Sequence, residues 1–185
     1  MPRDPDAHLL DLEGTVERLR SSLEMLEWAL QLIPDGWTHR SPGGTLSPEP
    51  GAWSAAMNLA HLATYEETFP AAVLEDLLGG GNGLGRVSSL DEGTFAAQSM
   101  ALASEPIPTI LGRLQTAREH EIELARQFTA AAFTAPATAA WGGTGMGPPR
   151  WSPARVLAKT VQHTFEHGHA IMTIAVFAPR ELVED

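Results

Sequence analysis

Between residues 9 and 33, Leu9, Leu12, Val16, Leu19, Leu23, Leu26, Leu30 and Ile33 follow one another in unbroken steps of three and four. A helix turns by about 100° per residue, so this spacing lays all eight side chains along one stripe. It predicts an amphipathic helix over residues 6–33, stopped by Pro34-Asp35-Gly36. A chain that starts this way must bury the stripe against other elements, and packing one seam of a helical bundle is the simplest way to do so.

The remainder of the chain reads the same way. Pro and Gly crowd residues 34–52, which predicts a loop. A second helix begins at "WSAAMNLAHLATYEETFPAAVLEDLL", with Pro70 expected to kink or interrupt it, and ends at "GGGNGLG". The Gly-rich run lacks both a preceding buried strand and a following Gly-Lys-Ser/Thr, so it does not read as a phosphate loop. Residues 91–103 suggest a short helix. A third long helix is expected over 107–132, with Ile110, Leu114, Ala117, Leu124 and Phe128 inward. After a second irregular stretch, a last helix spans 152–177, with Val156, Leu157, Thr160, Thr164, Ile171, Ile174 and Ala175 facing the core. Strand-like alternation is absent. Four long helices and two long loops predict an all-α four-helix bundle formed by residues 1–185 as one domain, with loops long enough for crossover connections.

Composition narrows the function. There is no cysteine, which excludes disulfides, zinc–thiolate sites and a cysteine nucleophile of the chain's own. A formal charge of −11 with scattered basic residues disfavours nucleic acid and anionic membrane surfaces as partners. No run is long enough to span a membrane, and "MPRDPDAHLL" lacks the features of a signal peptide, so the cytoplasm is the expected location.

The chemistry concentrates in "TVQHTFEHGHAIM". His163 and His167, four apart, lie about 40° from each other on a helix, beside the apolar stripe, whereas His169 points about 160° away from that stripe. Such a pair can present two imidazoles to one metal ion, or simply hydrogen-bond to carbonyls at a core edge. Of the remaining histidines, His8, His39 and His120 read as solvated. His61 lies mid-helix, near the edge of the stripe of Leu59, Leu62, Phe69 and Val73. Both histidine-bearing helices open with Trp-Ser, the serine placed as cap and the tryptophan available as a hydrophobic staple.

"WSAAMNLAHLATYEE" and "WSPARVLAKTVQHTFEHGHAI" resemble, in order and spacing, the W-S…H-L-x-x-x-E and H-x-x-x-H-x-x-Q-I helices of the DinB/YfiT-like superfamily. The resemblance implies a four-helix bundle with a crossover, a homodimer, and a divalent metal held by His61, His163 and His167. Where the family often has glutamine after the second paired histidine, this chain has Ala170, which bears on support of the site more than on the ligands.

Three neutral imidazoles leave a bound ion with open positions, which argues for a catalytic rather than a closed structural site; zinc and nickel both suit such ligands. Glu66 and Glu121 fall inside apolar stripes, where a carboxylate needs a partner or a role. A partner arginine such as Arg18, Arg113 or Arg126, or exposure at the bundle end, would account for them; alternatively Glu66 serves the site as a base. Tyr65, one turn after His61, is expected to pack. Three functions follow for a small-molecule substrate. The first is a metal-dependent transferase using a low-molecular-weight thiol cosubstrate such as bacillithiol or mycothiol, as the resemblance implies. The second is a hydrolase using metal-bound water with Glu66 as base. The third is a non-catalytic metal- or ligand-binding dimer.

Overall fold

The computed structural model describes residues 11–41, 53–81, 83, 92–135 and 152–177. Every regular element among them is a helix: α1 (Leu12–Gln31), α2 (Ala55–Thr68), α3 (Pro70–Leu78), α4 (Glu92–Leu102), α5 (Ile107–Ala125), α6 (Ala130–Thr134) and α7 (Pro153–Phe177). The all-α bundle expected from the spacing is therefore present. None of these helices is long and apolar enough to cross a membrane.

Local chemistry explains the boundaries. Asp11 caps α1 by accepting from the Gly14 amide at 2.7 Å, and the helix closes at Leu32, just before Pro34. The expected start near residue 6, with Leu9, lies outside the described residues. Pro70 has no N–H to offer the preceding turn, so the second predicted helix divides there: α2 ends at Thr68, and Pro70 opens α3. The third predicted helix also divides, which the apolar spacing did not show. α5 ends at Ala125, and Thr129 turns to an extended conformation and caps the short α6 through the Ala132 amide at 3.2 Å. Phe128, expected on the inner face of that helix, sits half-buried in the turn.

Two apolar clusters reveal the directions of the helices. One joins Leu26 and Ile33 after α1's midpoint to Leu59 of α2, Ile110 and Leu114 of α5, and Ile171 and Ile174 near the end of α7. The other joins Val16 and Leu19 of α1 to Val73 of α3, Ile122 of α5, and Leu157 near the start of α7. Hence α1 and α7 run parallel, while α2–α3 and α5 run the other way. The chain between α3 and α5 must return to the end where α2 began, and α4 lies on α2 along that return. At Gly168 the Met25 side chain of α1 lies directly on α7: a Cβ there would come within 2.6 Å of the Met25 methyl.

A polar layer separates the two clusters. Arg118 is completely buried and all five of its N–H groups are used. Nε donates to Glu66 Oε2 at 2.7 Å, and Nη2 donates to Glu66 Oε1 at 2.5 Å and to the Thr164 hydroxyl at 2.9 Å. Nη1 donates to the Ser22 hydroxyl at 3.0 Å and to the Leu19 carbonyl. One guanidinium thereby ties α5 to α1, α2 and α7.

Candidate metal centre

The two Trp-Ser helix starts form as expected in their serines. Ser54 accepts from the Met57 amide at 3.1 Å, and Ser152 accepts from the Arg155 amide at 3.2 Å. Trp53 is more than a staple. Its ring stacks on His167, with centroids 5.8 Å apart and planes 16° from parallel, and it lies 5.1 Å from the His61 ring. Trp151 lies outside the described residues.

Because α2 and α7 run antiparallel, His61 meets the pair on α7 although about a hundred residues separate them in sequence. Potential ligand atoms of His61, His163 and His167 all lie within 4.8 Å of one another. The Nε2 atoms of His163 and His167 are 3.0 Å apart. Two nitrogens bound at about 2.0–2.1 Å to one tetrahedral zinc would be about 3.3 Å apart, so this separation is close to a ligand geometry. Burial, reinforced by the neighbouring imidazoles, lowers His163 to about 3 and His167 to about 2; burial also lowers His61. All three are therefore neutral, the form that offers a lone pair to a metal. The donor set fits a divalent metal ion, and with three protein ligands it would leave positions for an exogenous group.

Aromatic rings wall the cluster. Phe95 of α4 meets His61 edge-on at 5.1 Å, and Tyr65 meets His163 at 4.4 Å, with Phe69 stacked behind Tyr65 at 5.4 Å. Tyr65 thus packs as expected, but directly against a candidate ligand. Burial and the carboxyl groups of Glu121, Glu66 and Glu166 raise its pKa, so it stays a phenol.

Of the two stripe carboxyls, Glu66 meets a partner arginine, one of the accounts anticipated for it. Glu66 is bidentate to Arg118, and none of Arg18, Arg113 or Arg126 is its partner. Arg113 instead pairs at the surface with Glu67, at 2.5 Å. Burial raises the Glu66 carboxyl and the guanidinium offsets this only in part; among the described residues no hydrogen bond joins it to an imidazole. Glu121 is also completely buried, and neither of its oxygens is in hydrogen-bonding geometry with any group among the described residues. Burial first, then repulsion from Glu66, raise its pKa well above the usual range, against the pull of Arg118 and the nearby Thr160 hydroxyl. Glu121 is a neutral acid.

The other histidines stay apart. His169 is exposed on α7, as its angle predicts. His120 is exposed and 3.6 Å from Glu75. His39, read as solvated, is exposed but anchored: its Nε2 lies 3.1 Å from the Glu105 carbonyl and its Nδ1 3.1 Å from the Thr38 hydroxyl. His8 lies outside the described residues. Asn58 and Arg118 were not singled out from the sequence, although both touch the machinery described above. A signal existed for Arg118, since Ile110, Leu114, Arg118 and Glu121 step by four, four and three along the stripe.

An all-helical bundle with three imidazoles facing one another across two antiparallel helices defines a class of bundles that carry a histidine cluster at metal-ligand spacing. The family model for the DinB superfamily matches residues 18–171, and the chain belongs to that superfamily. No curated protein and no solved structure matches the chain.

Proposed function

We propose that the protein is a metal-dependent enzyme of the thiol-transferase kind, in which His61, His163 and His167 hold a divalent zinc or nickel ion. The observation that carries this reading is the convergence of three neutral imidazoles within 4.8 Å, with no carboxylate among them. When bound, the ion would supply positive charge that stabilises a thiolate at neutral pH. The chain's own residues do the rest: the imidazoles fix the position of the site, and Trp53, Tyr65 and Phe95 exclude water around it. Because the chain has no cysteine, the sulfur must come from a low-molecular-weight thiol such as bacillithiol or mycothiol. Its thiolate forms a carbon–sulfur bond with an electrophilic substrate, whose leaving group departs with the bonding pair. The commitment of Glu66 to Arg118 supports this reading over a hydrolase that needs Glu66 as base.

Elemental analysis of protein purified without chelator and offered zinc or nickel comes first. The expected result is one ion per chain, and absence of stoichiometric metal would end both enzyme readings. Thiol consumption with a chlorodinitrobenzene electrophile follows. Turnover only with thiol present supports the transferase; turnover with water alone would replace it by a hydrolase, and no turnover by a binding module. We also propose a homodimer, supported by the family and by the exposed Trp28 and Phe165 on the neighbouring helices α1 and α7. A monomer by light scattering at micromolar concentration would remove it.

A further inference from the structure

Asn58 lies on α2 one turn before His61, and its side chain is buried. Its Nδ2 lies 3.0 Å from the Ser54 carbonyl and 3.4 Å from the Trp53 carbonyl. Both partners are acceptors, so the end of the amide that faces them must be the NH₂ donor. The opposite end is then the carbonyl, and it lies 2.8 Å from His167 Nδ1. A carbonyl oxygen only accepts, so His167 Nδ1 must carry the proton and Nε2 must carry the lone pair.

The geometry points to Asn58 as the positioning residue of the site, locking His167 in the Nδ1–H tautomer with its Nε2 lone pair aimed at the histidine cluster. This rests on the metal reading for its purpose, but not for its observation. Three contacts hold the lock. Ser54, the cap of α2, presents the carbonyl that orients the amide; the Asn58 carbonyl grips the ring edge; and Trp53 lies parallel to the ring face. The Trp-Ser start of α2 therefore builds a holder for a residue of α7.

A second consequence concerns His163. With the lone pair of His167 Nε2 facing it at 3.0 Å, His163 Nε2 must be the donor in the metal-free protein. Its Nδ1 is then an acceptor, and it is buried without a partner. To ligate through Nε2, His163 has to move that proton to Nδ1, whereas His167 needs no rearrangement. The two α7 histidines are thus unequal: one is set in advance and the other is not.

Long-range ¹H–¹⁵N correlation of the imidazoles in the metal-free, uniformly labelled protein reads both tautomers directly. The expected result is Nδ1–H for His167 and Nε2–H for His163. Nε2–H for His167 would overturn the inference whatever the metal content. The variants Asn58→Leu and Asn58→Asp then test the role. Leucine fills the space without an acceptor, and aspartate keeps the acceptor for His167. Zinc affinity by chelator competition should fall about 10- to 100-fold in Asn58→Leu, the usual effect of losing a group that orients a metal-bound histidine. It should be retained or tightened in Asn58→Asp. Mixed tautomers of His167 are expected in the leucine variant and Nδ1–H in the aspartate variant, each checked at matched thermal stability. Equal His167 spectra in wild type and Asn58→Leu would assign Asn58 a structural role only. If wild type shows the expected tautomers but binds no zinc, the metal reading fails and the assignment of Asn58 as the lock stands.

Discussion

Replacing Glu121 by glutamine removes one buried ionisable group while keeping the shape of the side chain. Both carboxyl oxygens of Glu121 are buried without a hydrogen-bond partner, beside a Glu66 carboxylate already matched to Arg118. The fold therefore holds Glu121 protonated, with a pKa raised well above the value of an unfolded chain. The sign follows from proton counting. Above the unfolded pKa of 4.5 the unfolded chain gives up this proton and the folded protein keeps it, so the native state binds one proton more. Stability from this group is present in full below pH 4.5 and declines as pH rises, until the folded pKa is reached. The slope for one group is about 1.4 kcal/mol per pH unit. Glutamine does not titrate, so the difference between the two proteins reads Glu121 together with its repulsion of Glu66. Urea denaturation of both at intervals from pH 4 to pH 8 isolates it. The curves should lie closest at pH 4, and Glu121→Gln should gain as pH rises above 5, by at most about 1.4 kcal/mol per unit, until the folded pKa is reached. Parallel curves would refute the neutral acid.

Other perturbations give equally direct readings. His61→Ala, His163→Ala and His167→Ala should each abolish stoichiometric metal in elemental analysis, whereas the exposed His169→Ala should leave it unchanged; loss of metal in that last variant would contradict the helical register. Arg118→Ala removes the partner of a buried carboxylate and should cost about 3–5 kcal/mol in denaturant unfolding. By contrast, Arg113→Ala, which breaks the exposed pair with Glu67, should cost no more than about 1 kcal/mol and less in high salt. Gly168→Ala needs only the flexible end of Met25 to move, and the gain in helix propensity of about 1 kcal/mol should offset that shift; a thermal melt within a few degrees of wild type checks it.

The long helices were legible because each carries its own apolar period, and α7 has the predicted extent almost to the residue. The breaks were less so. Pro70 announces itself chemically, but the break after α5 shows only in Thr129, which caps α6 from within an otherwise helical pattern. The His163–His167 pair follows from local geometry. The addition of His61 needed the family pattern, since periodicity alone does not say which helices face each other. Arg118 was hidden for another reason. Its partners Leu19, Ser22, Glu66 and Thr164 lie on three other helices, and no spacing within α5 reveals them. Asn58 is similar: polar residues in helix interiors look incidental until the ring they grip is seen opposite them.

The guanidinium of Arg118 has a mechanical consequence for the imidazoles. It grasps Glu66 on α2 and Thr164 on α7, residues one position beyond Tyr65 and His163. The gap that the histidines span is thus held by a strut inside the bundle, with a third foot on the α1 backbone. An ion of different radius would meet a jaw of set width, and the adjustment would fall to imidazole torsions rather than to sliding helices.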